Sequence, residues 1–190
     1  MTRAEMPAFC VEGYVIVSAD GMLASAAGVM PVELKFEGDA QFFTTALDRS
    51  DVIVHGRHSY EDQPNSPRRK RIILTRGIGA IASDPVNAKA TLWNPTGASF
   101  EQACEFAGVP SGTVAIIGGP SVFGMFMERY DTFWLSQAPT VRLPGGEPCF
   151  PGVPEQSPQQ VLAASGMKAG KARILDRSAG VTVTPWRRAL

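Results

Sequence analysis

Two apolar runs in this chain end in glycine: Thr113-Val114-Ala115-Ile116-Ile117 leads into Gly118-Gly119, and Asp51-Val52-Ile53-Val54-His55 leads into Gly56-Arg57. A buried strand that stops at Gly, with a helix-compatible stretch behind it, lets the backbone approach a ligand closely and leaves N–H groups free for negative charge. Phosphates are held this way, so a pair of such junctions predicts a nucleotide-type cofactor. At the second junction, His55-Gly56-Arg57-His58-Ser59-Tyr60 adds a guanidinium and a hydroxyl to the amide cluster, and Arg forks onto phosphate better than any other side chain. Leu74-Thr75-Arg76 places a hydroxyl and another Arg at a further strand end, where a 2′-phosphate would select NADP over NAD. The competing reading makes Arg57 and Arg76 solvated surface charges. His55 and His58 have no evident third ligand, so no metal site is expected.

A helix-period stretch from Asp39 to Arg49 carries Phe42 and Phe43 at i+3 and i+4, with Ala46 and Leu47 one turn further on. Asp39 therefore shares the face that packs inward. A carboxyl at the edge of an apolar wall has a raised pKa and can hold or relay a proton near neutrality. Asp before an apolar-periodic run is also a common N-cap, and that alternative stands beside the first. The cationic run Arg68-Arg69-Lys70-Arg71 reads as a solvated loop, one member of which could anchor the anionic tail of a substrate. Three partial motifs are set aside. Gly77-Ile78-Gly79-Ala80-Ile81-Ala82 has the GxGxxA pattern, but Asp84-Pro85 cuts off the helix that a dinucleotide fingerprint requires. Gly119-Pro120-Ser121-Val122-Phe123 misses a nucleophile elbow, because Phe123 stands where that turn needs Gly. HxE with PCxxC is absent, which excludes a zinc nucleobase deaminase.

The elements that must position these residues follow from apolar periodicity. Strands are expected at Phe9 to Val17, Asp51 to His55, Arg71 to Thr75, Lys89 to Trp93, Thr113 to Ile117 and Thr132 to Gln137, and helices at Asp39 to Arg49, Ser99 to Ala107 and Ser121 to Arg129. Loops fill Ser18 to Gly38 and Pro139 to Pro158, and a closing hairpin joins Met167 to Asp176 with Gly180 to Trp186. Alternating strands and helices imply an α/β fold with a mostly parallel central sheet of about eight strands, covered on both faces, plus an antiparallel C-terminal hairpin. The 190 residues, 44% of them hydrophobic, fit a single domain over 1–190. Lys+Arg 18 against Asp+Glu 18 leaves no net charge to draw a nucleic acid or an acidic membrane surface. Cys10, Cys104 and Cys149 are odd in number and lack CxxC spacing, as reduced cytoplasmic thiols would be. No stretch approaches the roughly 20 apolar residues that span a bilayer, and the first residues, with Glu5 and Pro7, lack a signal-type apolar stretch.

In sequence order, Ser18-Ala19-Asp20-Gly21, Asp39 with Phe42-Phe43, Gly56-Arg57-His58-Ser59-Tyr60-Glu61, Leu74-Thr75-Arg76, Ile117-Gly118-Gly119-Pro120-Ser121-Val122-Phe123, Leu135-Ser136 and Phe150-Pro151 resemble the dihydrofolate reductase superfamily. Within it they resemble the branch that includes the reductase half of the bifunctional riboflavin-biosynthesis deaminase–reductase. The resemblance runs from Phe9 to the C-terminus and implies a three-layer α/β/α domain with NADPH lying across the sheet. By that resemblance Gly118, Gly119, Pro120, Ser121, Val122 and Phe123 would take the pyrophosphate. Gly56, Arg57, His58, Ser59, Thr75 and Arg76 would hold the adenosine phosphates, with Leu23 and Ala24 near the nicotinamide. Asp39 would match the active-site carboxylate, Ser136 a hydroxyl beside it, Phe43 a wall for the heterocycle, and Arg69 the cation for a substrate tail. A Pro-Trp pair precedes the acid in true dihydrofolate reductases, whereas Pro31-Val32 stands here. The implied activity is hydride transfer from NADPH to a pteridine or ribosylaminopyrimidine, with a small heterocyclic molecule as partner and a homodimer as the assembly. The alternatives are a non-catalytic nucleotide-binding module of the same fold, and a structural or partner-binding protein.

Overall fold

Residues 8–188 are described by a computed structural model; Glu5 and Pro7 lie outside them. The strands are β1 (Phe9–Ser18), β2 (Met22–Ala24), β3 (Val52–Gly56), β4 (Arg71–Leu74), β5 (Ile81–Ser83), β6 (Ala90–Trp93), β7 (Gly112–Ile116), β8 (Thr132–Ala138), β9 (Glu147–Pro148), β10 (Met167–Ala169), β11 (Arg173–Asp176) and β12 (Val181–Arg188). The helices are α1 (Glu37–Arg49), α2 (Phe100–Phe106), α3 (Pro120–Met125) and α4 (Pro158–Ala164). A 10-stranded sheet runs β10-β12-β8-β1-β7-β3-β4-β6-β5, with β11 paired to β12, and β2 pairs separately with β9. The pairs β8/β1, β1/β7, β7/β3, β3/β4 and β4/β6 are parallel, so their carboxyl ends share one edge.

Period-two alternation in β1 explains the two layers. Val11, Val15 and Val17 face a core that includes Phe100, Ala103 and Cys104 of α2, Val122 and Phe123 of α3, and Leu162 of α4. Tyr14 faces the opposite layer, where Ala46 and Leu47 of α1 pack on Ile53 and Ala115. The inward spacing expected of Phe42, Phe43, Ala46 and Leu47 is thus the spacing that seats α1. Ser99 and Ser157 each cap a helix in a reciprocal capping box, with Gln102 and Gln160.

The sheet has more strands than the expected eight or so. The three-residue β5 is too short for a periodic signal, and it forms by antiparallel pairing with β6. α4 begins at Pro158, where the expected Pro/Gly-rich loop ends, in a stretch to which the periodicity assigns no element, although Ser157-Pro158 with Gln160 is a helix-start signature. α3 ends at Met125, and Met127–Arg129 continues as a 3₁₀ turn. Among the described residues, no helix is long and apolar enough to cross a membrane.

Gly38, in the first turn of α1, lies so close to β11 that a Cβ there would collide with the carbonyl of Leu175. This contact fixes where the helix that bears Asp39 begins. At an open helical position Gly→Ala stabilises by about 0.5–1 kcal/mol. Gly38→Ala should instead destabilise by about 1–3 kcal/mol through overpacking, read as a lower urea midpoint; a midpoint that rises would mean the contact does not hold α1.

Candidate functional site

Ligand sites in open α/β sheets form where parallel strands deliver their carboxyl ends. On that edge the two glycine junctions meet directly: the Gly56 N–H donates to the Gly118 carbonyl at 2.7 Å, and the Ile117 N–H donates to the Val54 carbonyl at 3.0 Å. The Ser59 N–H closes the following turn onto the Gly56 carbonyl at 3.1 Å. Gly118 has φ +112°, a conformation that side chains rarely adopt, and a Cβ there would lie 3.1 Å from the Phe123 ring. The Ser59 hydroxyl oxygen stands 3.2 Å from where a Cβ on Gly119 would be. The peptide joining Gly118 to Gly119 is cis.

Val122 and Phe123 are 3% and 1% exposed. Their side chains support the glycines from the core rather than face a ligand, which leaves the part expected of them at the pyrophosphate to their backbone. Pro120 starts α3, and Ser121 is exposed on its first turn. With six residues α3 is too short for its dipole to carry much of the anion affinity expected of it; the close backbone approach is the stronger physical reason for a phosphate here.

Beside the glycine pair, a cleft of about 430 Å³ is lined by Arg57, Thr75, Gly77, Ile78 and Asp84, among others. Arg57 and Thr75, singled out separately in the sequence, therefore reach one cavity, while Arg76 and His58 are exposed nearby along the chain. The Thr75 hydroxyl accepts the Gly77 N–H at 3.1 Å. Gly77 and Ile78 belong to the GxGxxA stretch that was set aside. The stretch forms a turn and β5 rather than a fingerprint helix, yet its first residues line this cleft.

The acid lies on the other side of the glycines. Asp39 occupies the third position of α1, whose N-cap is Phe36, so the N-cap alternative does not hold. Half-buried, its carboxyl is pushed up to about 6 by loss of water, and the nearby Ser136 hydroxyl pulls in the opposite direction. Ser136 itself is 2% exposed on β8, opposite Ile16 of β1. Phe43 packs edge-on against Tyr14 at 6.3 Å between centroids, and Phe42 against Trp134 at 5.4 Å. The register sets Ile116 opposite Gly13 and Ser136 opposite Ile16. With strands about 4.8 Å apart and a rise of about 3.3 Å per residue, Gly118 and Ser136 end up within about one residue of the same level, roughly 10 Å apart across β1.

Leu23 and Ala24 form β2 with Met22. Ala24 is buried, with its carbonyl against the backbone at Gly146. The turn before β2 is closed by its own polar groups: the Met22 N–H donates to the Ser18 hydroxyl at 3.0 Å, and Asp20 accepts from the Ser18 hydroxyl and the Leu143 N–H. Burial pushes the Asp20 carboxyl up, but these donors more than offset it and leave it below the usual carboxylate range.

Arg69 corrects an expectation. It is buried and held by Asp48 at 2.6 Å, by Glu61 at 3.1 Å and by Gln63 at 2.8 Å, so its charge is already matched and it does not await a substrate tail. The cationic run as a whole is not a solvated loop. Arg68 and Lys70 are exposed, whereas Arg69 and Arg71 are buried because the run leads into β4. Arg71 is fully buried, bonded to Glu61 and Ser66, and stacked on Tyr60 with its guanidinium 4.4 Å from the ring centre. Sequence reading missed this network; Glu61 and Arg71 carried the signal, but only their fold brings them together. A larger hollow of about 560 Å³, lined by Asp48, Asp51, Arg68, Lys70 and Ser111, sits at the amino ends of β3, β4 and β7, on the opposite edge from the glycines.

No family model matches the chain, and no curated protein matches it either. Solved structures do. Dihydrofolate reductase from Enterococcus faecalis, complexed with NADP(H) and RAB-propyl, superposes with a TM-score of 0.63 at 17% identity, covering 95% of this chain and 97% of that one. A protein named for riboflavin biosynthesis, from Shewanella sp. PV-4, gives 0.65 at 18% identity over 95% and 99% of the two chains. A diaminohydroxyphosphoribosylaminopyrimidine deaminase/5-amino-6-(5-phosphoribosylamino)uracil reductase from Thermotoga maritima gives 0.64 at 16% identity, covering 95% of this chain and 56% of the longer one. The chain has the fold that these three proteins share, as its motifs implied.

Proposed function

We propose that this protein is an NADPH-dependent reductase acting on a pteridine or ribosylaminopyrimidine heterocycle. One observation carries the reading: the paired glycines stand between an Arg57/Thr75 cleft on one side and a half-buried acid, Asp39 with Ser136, on the other. A dinucleotide has this extent and this order of chemistry, with anionic phosphates beside a cation and backbone amides and a reactive ring further on. The residues fit such a group, because Phe123 and Ser59 leave no room for side chains on Gly118 and Gly119, and the backbone there is bare. The NADP(H) complex of the Enterococcus faecalis reductase agrees in fold with this assignment.

When bound, the reduced nicotinamide supplies a hydride, and the protein supplies orientation and electrostatics. In this reading Arg57 and Thr75 hold the adenosine-side phosphates, with Arg76 at the rim. The Gly56 and Gly118-Gly119 turns let the pyrophosphate approach the backbone. Phe43 offers an apolar wall to the substrate ring. Asp39, which holds its proton up to about pH 6 because water is largely withdrawn from it, donates a proton to a ring nitrogen or orients that ring, and Ser136 steadies the carboxyl. Arg69 takes no part in anion recognition, since Asp48 and Glu61 neutralise it.

Two expected outcomes test the reading. In binding titrations, Arg57→Ala and Arg76→Ala should each weaken NADPH by roughly tenfold or more while changing NADH much less, as loss of a charge-assisted bond to a 2′-phosphate requires; equal losses for both nucleotides would remove the arginines from the phosphate.

The second concerns Asp39. Because burial raises this carboxyl to about 6, the folded protein keeps a proton that the unfolded chain has lost above the ordinary carboxylate value of about 4. The group's contribution to stability is complete below that window and is lost as pH rises through it. Asp39→Asn should therefore gain in urea midpoint over the wild type across the window and hold that gain above it, and a gain that is flat with pH would contradict the raised value. Followed by NADPH absorbance with a dihydropterin and with an aminopyrimidine, the same variant should lose about 10²-fold or more in turnover with NADPH affinity nearly intact. Unchanged turnover would take Asp39 out of the chemistry.

A further inference from the structure

His55 stands at the end of β3, is 1% exposed, and is absorbed by neither the cofactor nor the acid. Its Nε2 lies 3.3 Å from a guanidinium nitrogen of Arg71, and its Nδ1 lies 2.7 Å from the carbonyl oxygen of Gly56. Arginine only donates, so Nε2 must accept. The imidazole is therefore neutral and carries its proton on Nδ1, from which it donates to Gly56. Burial pushes its pKa down, and the Arg71 charge adds to this against the opposing pulls of the Gly56 carbonyl and Glu61. The charged and titratable groups around the ring are those of Arg71 on β4 and of Glu61 and Tyr60 on the segment after β3, with Tyr60 edge-on at 6.0 Å between centroids.

The Gly56 peptide is the shared member of two hydrogen-bond systems. Its carbonyl accepts the His55 Nδ1–H and the Ser59 N–H, while its N–H donates to Gly118. A continuous chain of polar contacts thus runs from Glu61 through Arg71 and His55 to Gly56, and from there to the Ser59 turn and to Gly118.

We infer that His55 is a positioning residue for the dinucleotide: by fixing the Gly56 carbonyl it sets the Gly56–Ser59 turn and the facing Gly118 in the arrangement that receives the phosphates. This rests on the dinucleotide reading above and deepens it. The donor at the Nδ1 position does the positioning, and the Nε2 contact with Arg71 fixes which nitrogen carries the proton.

Three substitutions separate this from a packing role. In His55→Asn the side-chain amide N–H takes the place of Nδ1–H but does not reach Arg71. In His55→Gln the amide reaches Arg71 but not Gly56, and His55→Leu makes neither bond. Titrating NADPH by its fluorescence, His55→Asn should bind within about threefold of the wild type, while His55→Gln and His55→Leu should bind roughly tenfold or more weaker, the loss expected for one hydrogen bond that orders a turn. Thermal midpoints should not follow that order, because His55→Asn removes the Nε2 acceptor from the buried Arg71 guanidinium as His55→Leu does.

The wild-type protein supplies an independent reading. Its ¹⁵N imidazole spectrum, with the His55 resonances assigned by their absence in a variant, should show a neutral Nδ1–H form that shifts when NADP⁺ is added. An Nε2–H form, equal NADPH affinity in all three variants, or affinities that fall in step with thermal stability would overturn the inference and leave the dinucleotide reading standing. A wild-type protein that binds no NADPH would overturn both.

Discussion

The hydrogen bond from the Gly56 N–H to the Gly118 carbonyl organises the functional edge of this molecule. It joins the ends of β3 and β7, two parallel neighbours, at the point where both stop being strands. From there the chain turns one way into Arg57 and Ser59 and the other way into Gly119 and α3. A side chain at Gly118 would press on Phe123, and one at Gly119 would press on Ser59. The surface is bare backbone because packing below and the turn beside it leave no room for anything else. The same bareness lets an extended anionic ligand lie against it, so the packing constraint and the binding site have one origin.

Charge is distributed around that surface by burial. Arg57 is exposed in the cleft, with no ion-pair partner among the described residues. Arg69 and Arg71, a few residues later, are withdrawn from water and matched by Asp48 and Glu61. Glu61 is buried with both arginines, and removing one partner from such a buried pair costs about 3–5 kcal/mol, so these arginines hold the segment from Arg57 to Lys70 in place rather than recruit a ligand. Asp39 shows the opposite arrangement: withdrawn from water with only a hydroxyl for company, it keeps its proton to a higher pH, about 6, than an exposed carboxyl does. Paired and unpaired ionisable groups therefore do different work within one face of the sheet, one anchoring and one holding a reactive hydrogen.

Much of this was legible in the sequence where the signal is local. The glycine junctions, the period that turns Asp39 inward with Phe42, Phe43, Ala46 and Leu47, and the strand ends at Arg57 and Thr75 all reappear together in the structure. What was not legible depends on contacts far apart in sequence. The four-residue cationic run looked solvated, and only the start of β4 at Arg71 decides which of its members turn inward. Glu61 and Arg71 gave no sign of meeting, because the segment between them follows neither a helix nor a strand period. β5 and β9 exist by pairing rather than by propensity, and α4 was masked by the prolines around it. The GxGxxA stretch shows the converse. Its pattern was rightly refused as a fingerprint, yet its first residues line the cleft through their position after β4.

The most direct test of the account is a backbone amide NMR titration of the protein with NADPH. A dinucleotide seated as described should move the Gly56, Arg57, Gly118 and Gly119 amides most, with a second group of shifts in the first turn of α1 around Asp39. Shifts gathered instead around Lys70 and Ser111, at the amino-end hollow, or no saturable shift at the glycines, would contradict it.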